Sequence, residues 1–89
     1  MPVASHVLPE ILDLASAASL QRDLLARRGA DLDVDAASVR KLGGLGLQVL
    51  LAASMSWERD GYRFQVLNRS AAFAEALRLA GSSLPGDLP

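Results

Sequence analysis

Residues 34–51 read Val34-Asp35-Ala36-Ala37-Ser38-Val39-Arg40-Lys41-Leu42-Gly43-Gly44-Leu45-Gly46-Leu47-Gln48-Val49-Leu50-Leu51. The periodicity changes in the middle of this stretch. Leu32, Val34 and Ala36 alternate with Asp31, Asp33 and Asp35, the period-two pattern of a strand with one buried face. Residues 37–42 are expected to form a connecting loop. Gly43, Gly44 and Gly46 then open a run in which Leu47, Leu50, Leu51 and Ser54 recur at helical spacing, with Leu45, Val49 and Ala53 widening the apolar arc. Such a broad apolar arc is what a helix needs to pack on a sheet. Strand, loop and sheet-packing helix together point to an α/β fold, because parallel strands need a crossover between them.

The flanks extend the same pattern. Val3, Val7 and Leu8, then Ile11 and Leu12, make two short apolar pieces around Pro9, read as an edge strand or two short strands. Asp13 to Ser19 offer several helix caps, and Leu20, Leu24 and Leu25 recur at helical spacing as far as Arg27, Arg28 and Gly29. A first helix is expected over 16–28. Asp60-Gly61 signals a turn, and Tyr62, Phe64 and Val66 alternate as a further strand. Asn68 or Ser70 caps a third helix whose buried face is Phe73, Leu77 and Ala80, and Gly81 stops it. The expected order is β-β-α-β-α-β-α. The fold class is α/β, with about four strands in a mixed, mostly parallel sheet and three helices mainly on one face. Residues 1–81 are expected to form one domain, and 82–89, rich in Ser, Pro and Gly, a flexible tail.

Composition limits the functions open to the chain. It has 89 residues, of which 51% are hydrophobic and 21% charged, the balance of one globular domain. A formal net charge of -1 gives no general pull toward nucleic acid or acidic membranes. The absence of cysteine removes disulfides, thiolate nucleophiles and sulfur-rich metal sites. Residues 1–6 show no signal-peptide pattern and the longest apolar stretch, 47–53, is far shorter than a membrane span. A soluble cytoplasmic protein is the expectation.

Residues 34–51 resemble the STAS family, the anti-sigma-factor antagonist fold, and the resemblance extends from about Val7 to Gly81. Family members carry an apolar-Asp-apolar strand end, a loop valine, and an Asp-Ser-Ser-Gly-Leu-Gly run that opens an apolar helix. Laid without gaps, Asp35 matches the strand aspartate, Val39 the loop valine, Gly46-Leu47 the Gly-Leu pair, and Leu12-Asp13 the Leu-Asp before the first helix. Gly43 falls on the loop aspartate, Gly44 on the phosphorylated serine and Leu45 on the second serine. A phosphoserine at a helix N-terminus is stabilised by free N–H groups and the dipole, and its charge reshapes the docking surface. Gly44 has no hydroxyl, so the resemblance implies docking without that switch. Ser38, on the preceding loop, is the nearest substitute phosphosite.

The resemblance implies a non-catalytic interaction domain with no cofactor. The partner-binding residues are expected to be Ser38, Arg40, Lys41, Gly43, Gly44, Leu45 and Gly46. The three glycines would allow close backbone approach, Leu45 an apolar contact, and Arg40 and Lys41 charge complementarity, with Asp13 and Asp35 shaping the loop. The implied partner is a histidine-kinase-like or other signalling protein, in chemotaxis or two-component-type signalling. The alternative is an accessory subunit of a lipid-transport ATPase complex. A homodimer is a further expected assembly in either setting.

Other candidates are weaker. Gly44-Leu45-Gly46 lacks the third glycine of a dinucleotide fingerprint, since Val49 stands in its place. His6 is the only histidine and has no cysteine or second histidine to work with, so it reads as a strand-edge side chain. Asp31, Asp33 and Asp35 share one side of their strand. They read as the solvated face of an edge strand or as caps of nearby N–H groups, in preference to a cation site. Trp57 is expected to cover the bottom of the core rather than anchor a partner. Arg22, Arg27 and Arg28 form a solvated helix face or the rim of a docking surface.

Overall fold

A computed structural model describes residues 3–86. The strands are β1 (Ala4–Val7), β2 (Ile11–Leu12), β3 (Leu32–Asp35), β4 (Lys41–Leu42) and β5 (Phe64–Leu67). The helices are α1 (Leu14–Leu25), α2 (Gly44–Asp60) and α3 (Ala71–Leu79). The expected α/β class, with parallel pairing and three helices, is what the chain adopts. Its strands divide in a way the hydropathy pattern did not display. β1, β3 and β5 form one sheet in the order β1-β3-β5, and β2 and β4 form a separate two-stranded one. Every pairing between these strands is parallel. β4 lies inside the stretch read as a loop. Two residues are too few to show an alternation, so the pairing comes from β2 rather than from local sequence.

Register assigns the faces of the larger sheet. Leu32 aligns with Phe64, and Val34 with His6 and Val66. Leu32, Val34, Phe64 and Val66 are buried beneath the helices. Asp33, Asp35, Gln65 and Leu67 lie on the opposite face and are half-buried. The edge-strand reading of the three aspartates is therefore corrected: β3 is the central strand. Two of the three act as local caps. Asp31 Oδ1 accepts the Arg63 N–H at 2.8 Å and Asp35 Oδ1 accepts the Ala37 N–H at 2.9 Å. Asp33 Oδ1 is buried without a hydrogen-bond partner.

Each helix has a physical start. α1 begins two residues before the expected Ser16, because Asp13 is the cap and Ser16 closes a capping box with it. α3 begins after Ser70, whose hydroxyl accepts the Phe73 N–H at 3.0 Å. α2 ends on Gly61, which takes a left-handed conformation at φ 82°. Trp57 is buried in the core at 2% exposure, which excludes it as a surface anchor. Its ring lies 5.4 Å from that of Phe64, and its Nε1–H donates to the Ala30 carbonyl at 2.8 Å. Arg28 pairs with Asp60 at 2.7 Å and joins the C-terminal ends of α1 and α2.

The expected tail also starts too early. Leu84 is buried, and the Val66 N–H donates to the Pro85 carbonyl at 2.8 Å. Residues 84–86 are thus packed along β5, where Val66 has a free edge to offer. Residues 87–89 of the expected tail lie outside the described residues. Among the described residues no helix is long and apolar enough to cross a membrane.

Candidate docking surface

β2 and β4 position the site. They pair in register, Ile11 with Lys41 and Leu12 with Leu42, and each runs through one residue into a helix. The N-termini of α1 and α2 therefore start side by side. The loop between β3 and β4 is held from three directions. The Arg40 and Lys41 N–H groups both donate to the Glu10 carbonyl, at 2.7 and 3.1 Å. Val39 is buried, and its carbonyl accepts the Ser70 hydroxyl at 2.6 Å. The Ala37 N–H is taken by Asp35, as above. Ser38 and Arg40 are left exposed on this braced loop, and Lys41 is exposed at the start of β4.

The three glycines differ from one another. The Gly43 N–H donates to the Leu12 carbonyl at 2.9 Å, and a Cβ on Gly43 would itself lie 2.9 Å from that oxygen. A Cβ on Gly46 would lie 3.0 Å from the Leu12 Cβ and 3.4 Å from Leu42 Cδ1. Gly46 is buried. These two glycines let β2 approach the start of α2, so their role is internal and Gly46 is not a surface a partner reaches. Gly44 is exposed, and nothing lies within 4 Å of the place its Cβ would take. Packing leaves position 44 free. Gly44→Ala is expected to stabilise the fold by about 0.5 kcal/mol, and Gly43→Ala to destabilise it by about 1–3 kcal/mol, in paired urea titrations.

The two adjacent helix starts have unlike chemistry. α1 carries the Asp13 carboxylate, whose pKa is held below its ordinary 3.8 by the hydrogen bonds from the Ser16 N–H and hydroxyl. α2 starts at Gly43, which supplies no side-chain cap, and it has no acidic residue in its first turn. The Asp13 carboxylate contributes fully above the ordinary carboxyl range and is lost as pH falls through its depressed value. Wild type and Asp13→Asn are expected to differ in Tm at pH 6 and to converge in strong acid. Amide exchange at Ser16 is expected to quicken in the variant.

Apolar side chains crown this surface. Leu45 is 48% exposed, and Ile11 and Leu14, on the β2–α1 side, are 50% and 72% exposed. Leu45 is among the residues expected from the sequence; Ile11 and Leu14 are additions from the structure. Ile11 and Leu14 flank the buried Leu12. Ile11 alternates with the buried Leu12 on the two-residue β2, and Leu14 opens α1 one residue after Asp13. Asp13, expected to shape the loop, caps α1 instead, while Asp35 does brace it.

A family model described as Mlab, STAS domain, matches residues 7–83. No curated protein and no solved structure matches the chain.

Proposed function

The chain belongs to the STAS domain family, whose members are non-catalytic interaction modules, and from that premise we propose that it docks onto a protein partner without a phosphorylation switch. The docking surface is the junction where β2 and β4 feed α1 and α2. One observation carries the reading: Ile11, Leu14 and Leu45 are exposed at or next to two adjacent helix starts, and Ile11 pairs in register with the exposed Lys41. Apolar anchors rimmed by charge are the usual anatomy of a protein interface.

Gly44 is the position that the family pattern gives to a phosphorylated serine. A side chain would fit there, so its absence is not a demand of packing. Leu45 makes the next position apolar. Docking at this corner is therefore constant rather than switched.

The first partner class is a histidine-kinase-like or other signalling protein. The second is the ATPase of a lipid-transport complex, with this chain as an accessory subunit. The apolar, unswitched corner favours the second, since permanent assemblies use more apolar interfaces than transient ones. Capture of partners on immobilised protein, with mass spectrometry, tests both. A kinase-like protein or a transport ATPase is expected to be retained by wild type. Incubation with a kinase-active lysate and ATP is expected to leave that retention unchanged. Phosphate on Ser38 that alters it would overturn the constant-docking reading.

A further inference from the structure

The three-stranded sheet ends differently on its two sides. At β5 the chain closes its own edge: the Val66 N–H donates to the Pro85 carbonyl, Gly86 bridges to Val66, and the Arg69 guanidinium holds the Leu84 and Pro85 carbonyls at 2.6 and 3.1 Å. At β1 no strand among the described residues does the same. The Leu8 N–H donates to the Asp35 carbonyl at 2.9 Å. Backbone groups of alternate residues point to alternate sides of a strand, so Ala4, His6 and Leu8 serve β3. Ser5 and Val7 therefore turn their N–H and C=O groups outward, toward an open edge.

Native edges are normally blunted by lysine, proline, a bulge or a cover. The strand Ala-Ser-His-Val has neither lysine nor proline and pairs with β3 without a bulge. Val7 is 62% exposed.

We propose that this edge pairs antiparallel with β1 of a second copy, about a two-fold axis at His6, to make one continuous six-stranded sheet. The sequence is self-complementary in that register. Ser5 lies opposite Val7 of the second copy and Val7 opposite its Ser5, so all four outward groups of each chain are paired. A register centred on Val7 fails, because it sets Ser5 opposite Pro9, which has no N–H.

The two His6 side chains then meet as a close, non-hydrogen-bonded pair, with Cα atoms about 4.5 Å apart. They lie on the helix side of the sheet. The space there is an open cleft of about 430 Å³ along β1, where α1 presents the short side chains of Ser16 and Ser19. Burial, aided by Arg27 and opposed by Asp23, holds the His6 pKa below its ordinary 6.5. At neutral pH two uncharged imidazoles face each other. The strand itself carries no acidic or basic Asp, Glu, Lys or Arg to repel its copy.

The chain has no cysteine, which makes the test clean. A four-residue edge implies a small interface and a weak dimer, with Kd on the order of 0.1–1 mM. Sedimentation is expected to show a concentration-dependent monomer–dimer equilibrium, with slower exchange of the Ser5 and Val7 amides at high concentration. Under mild oxidation His6→Cys is expected to form a disulfide dimer at least tenfold faster than Ser5→Cys or Val7→Cys, because only residue 6 faces itself. Val7→Pro removes an outward N–H and leaves the β1–β3 ladder whole, so it is expected to abolish the dimer while Tm stays near wild type. A monomer at 1 mM overturns the proposal. So does protection of the Ser5 and Val7 amides in the dilute monomer, which would mean that the chain covers its own edge. Equal cross-linking of the three cysteine variants, or a Val7→Pro chain that dimerises normally, overturns it as well.

Discussion

Replacing Phe73 with alanine is expected to lower the unfolding free energy by about 3–5 kcal/mol. The ring is wholly buried, so its removal loses transfer free energy and leaves a cavity. α3 packs against β4, and its cap residue Ser70 also holds the Val39 carbonyl. A loosened α3 therefore reaches the docking loop as well as the core. For a domain whose whole stability is about 5–15 kcal/mol, the loss is a large share. Urea unfolding followed by circular dichroism measures it. The loop amides of 38–42 are expected to exchange faster in the variant under native conditions. A cost under about 1.5 kcal/mol would mean that the ring is less tightly enclosed than its burial states.

Leu45→Asp is expected to weaken partner binding at least a hundredfold with the fold intact. Burying a leucine side chain is worth about 1.5–3 kcal/mol, and that contribution disappears. The new carboxylate must in addition be stripped of water at the interface, which costs more. Together they exceed the roughly 2.7 kcal/mol that a hundredfold change requires. Stability gives an internal control. An acidic side chain in the first turn of α2 meets the positive end of the helix, so Tm is expected to hold or rise slightly. The partner captured by wild type, titrated by calorimetry against both chains, provides the measurement. Lys41→Glu is expected to act less strongly, mainly on association rate and salt dependence.

Much of the fold was legible because its periodicities are long. α2 shows its apolar arc over 17 residues, and β3 and β5 alternate cleanly enough to be placed within a residue or two. β2 and β4 have two residues each, and their pairing is set by tertiary contact. Missing that pair meant missing that the helix starts carrying Leu14 and Leu45 are neighbours. It also left Gly43 and Gly46 looking like openings for a partner, when the group they admit is the chain's own Leu12. The position of β3 in the sheet was misjudged for a related reason. Alternating aspartates look solvated in one dimension, but two of them spend their charge on neighbouring N–H groups once β5 and the loop are in place. The tail was read from its Pro and Gly content, which says how a chain turns and not what it lies against. Leu84 was the signal: a leucine that is buried just before Pro85, whose carbonyl caps the edge of β5.

Hydrogen exchange on the complex with the captured partner tests the docking claim most directly. Binding is expected to slow exchange at residues 38–46 and in the first turns of α1 and α2, while α3 and residues 82–86 keep their free-state rates. Protection confined to α3 or to residues 82–86, with 38–46 unchanged, would contradict it.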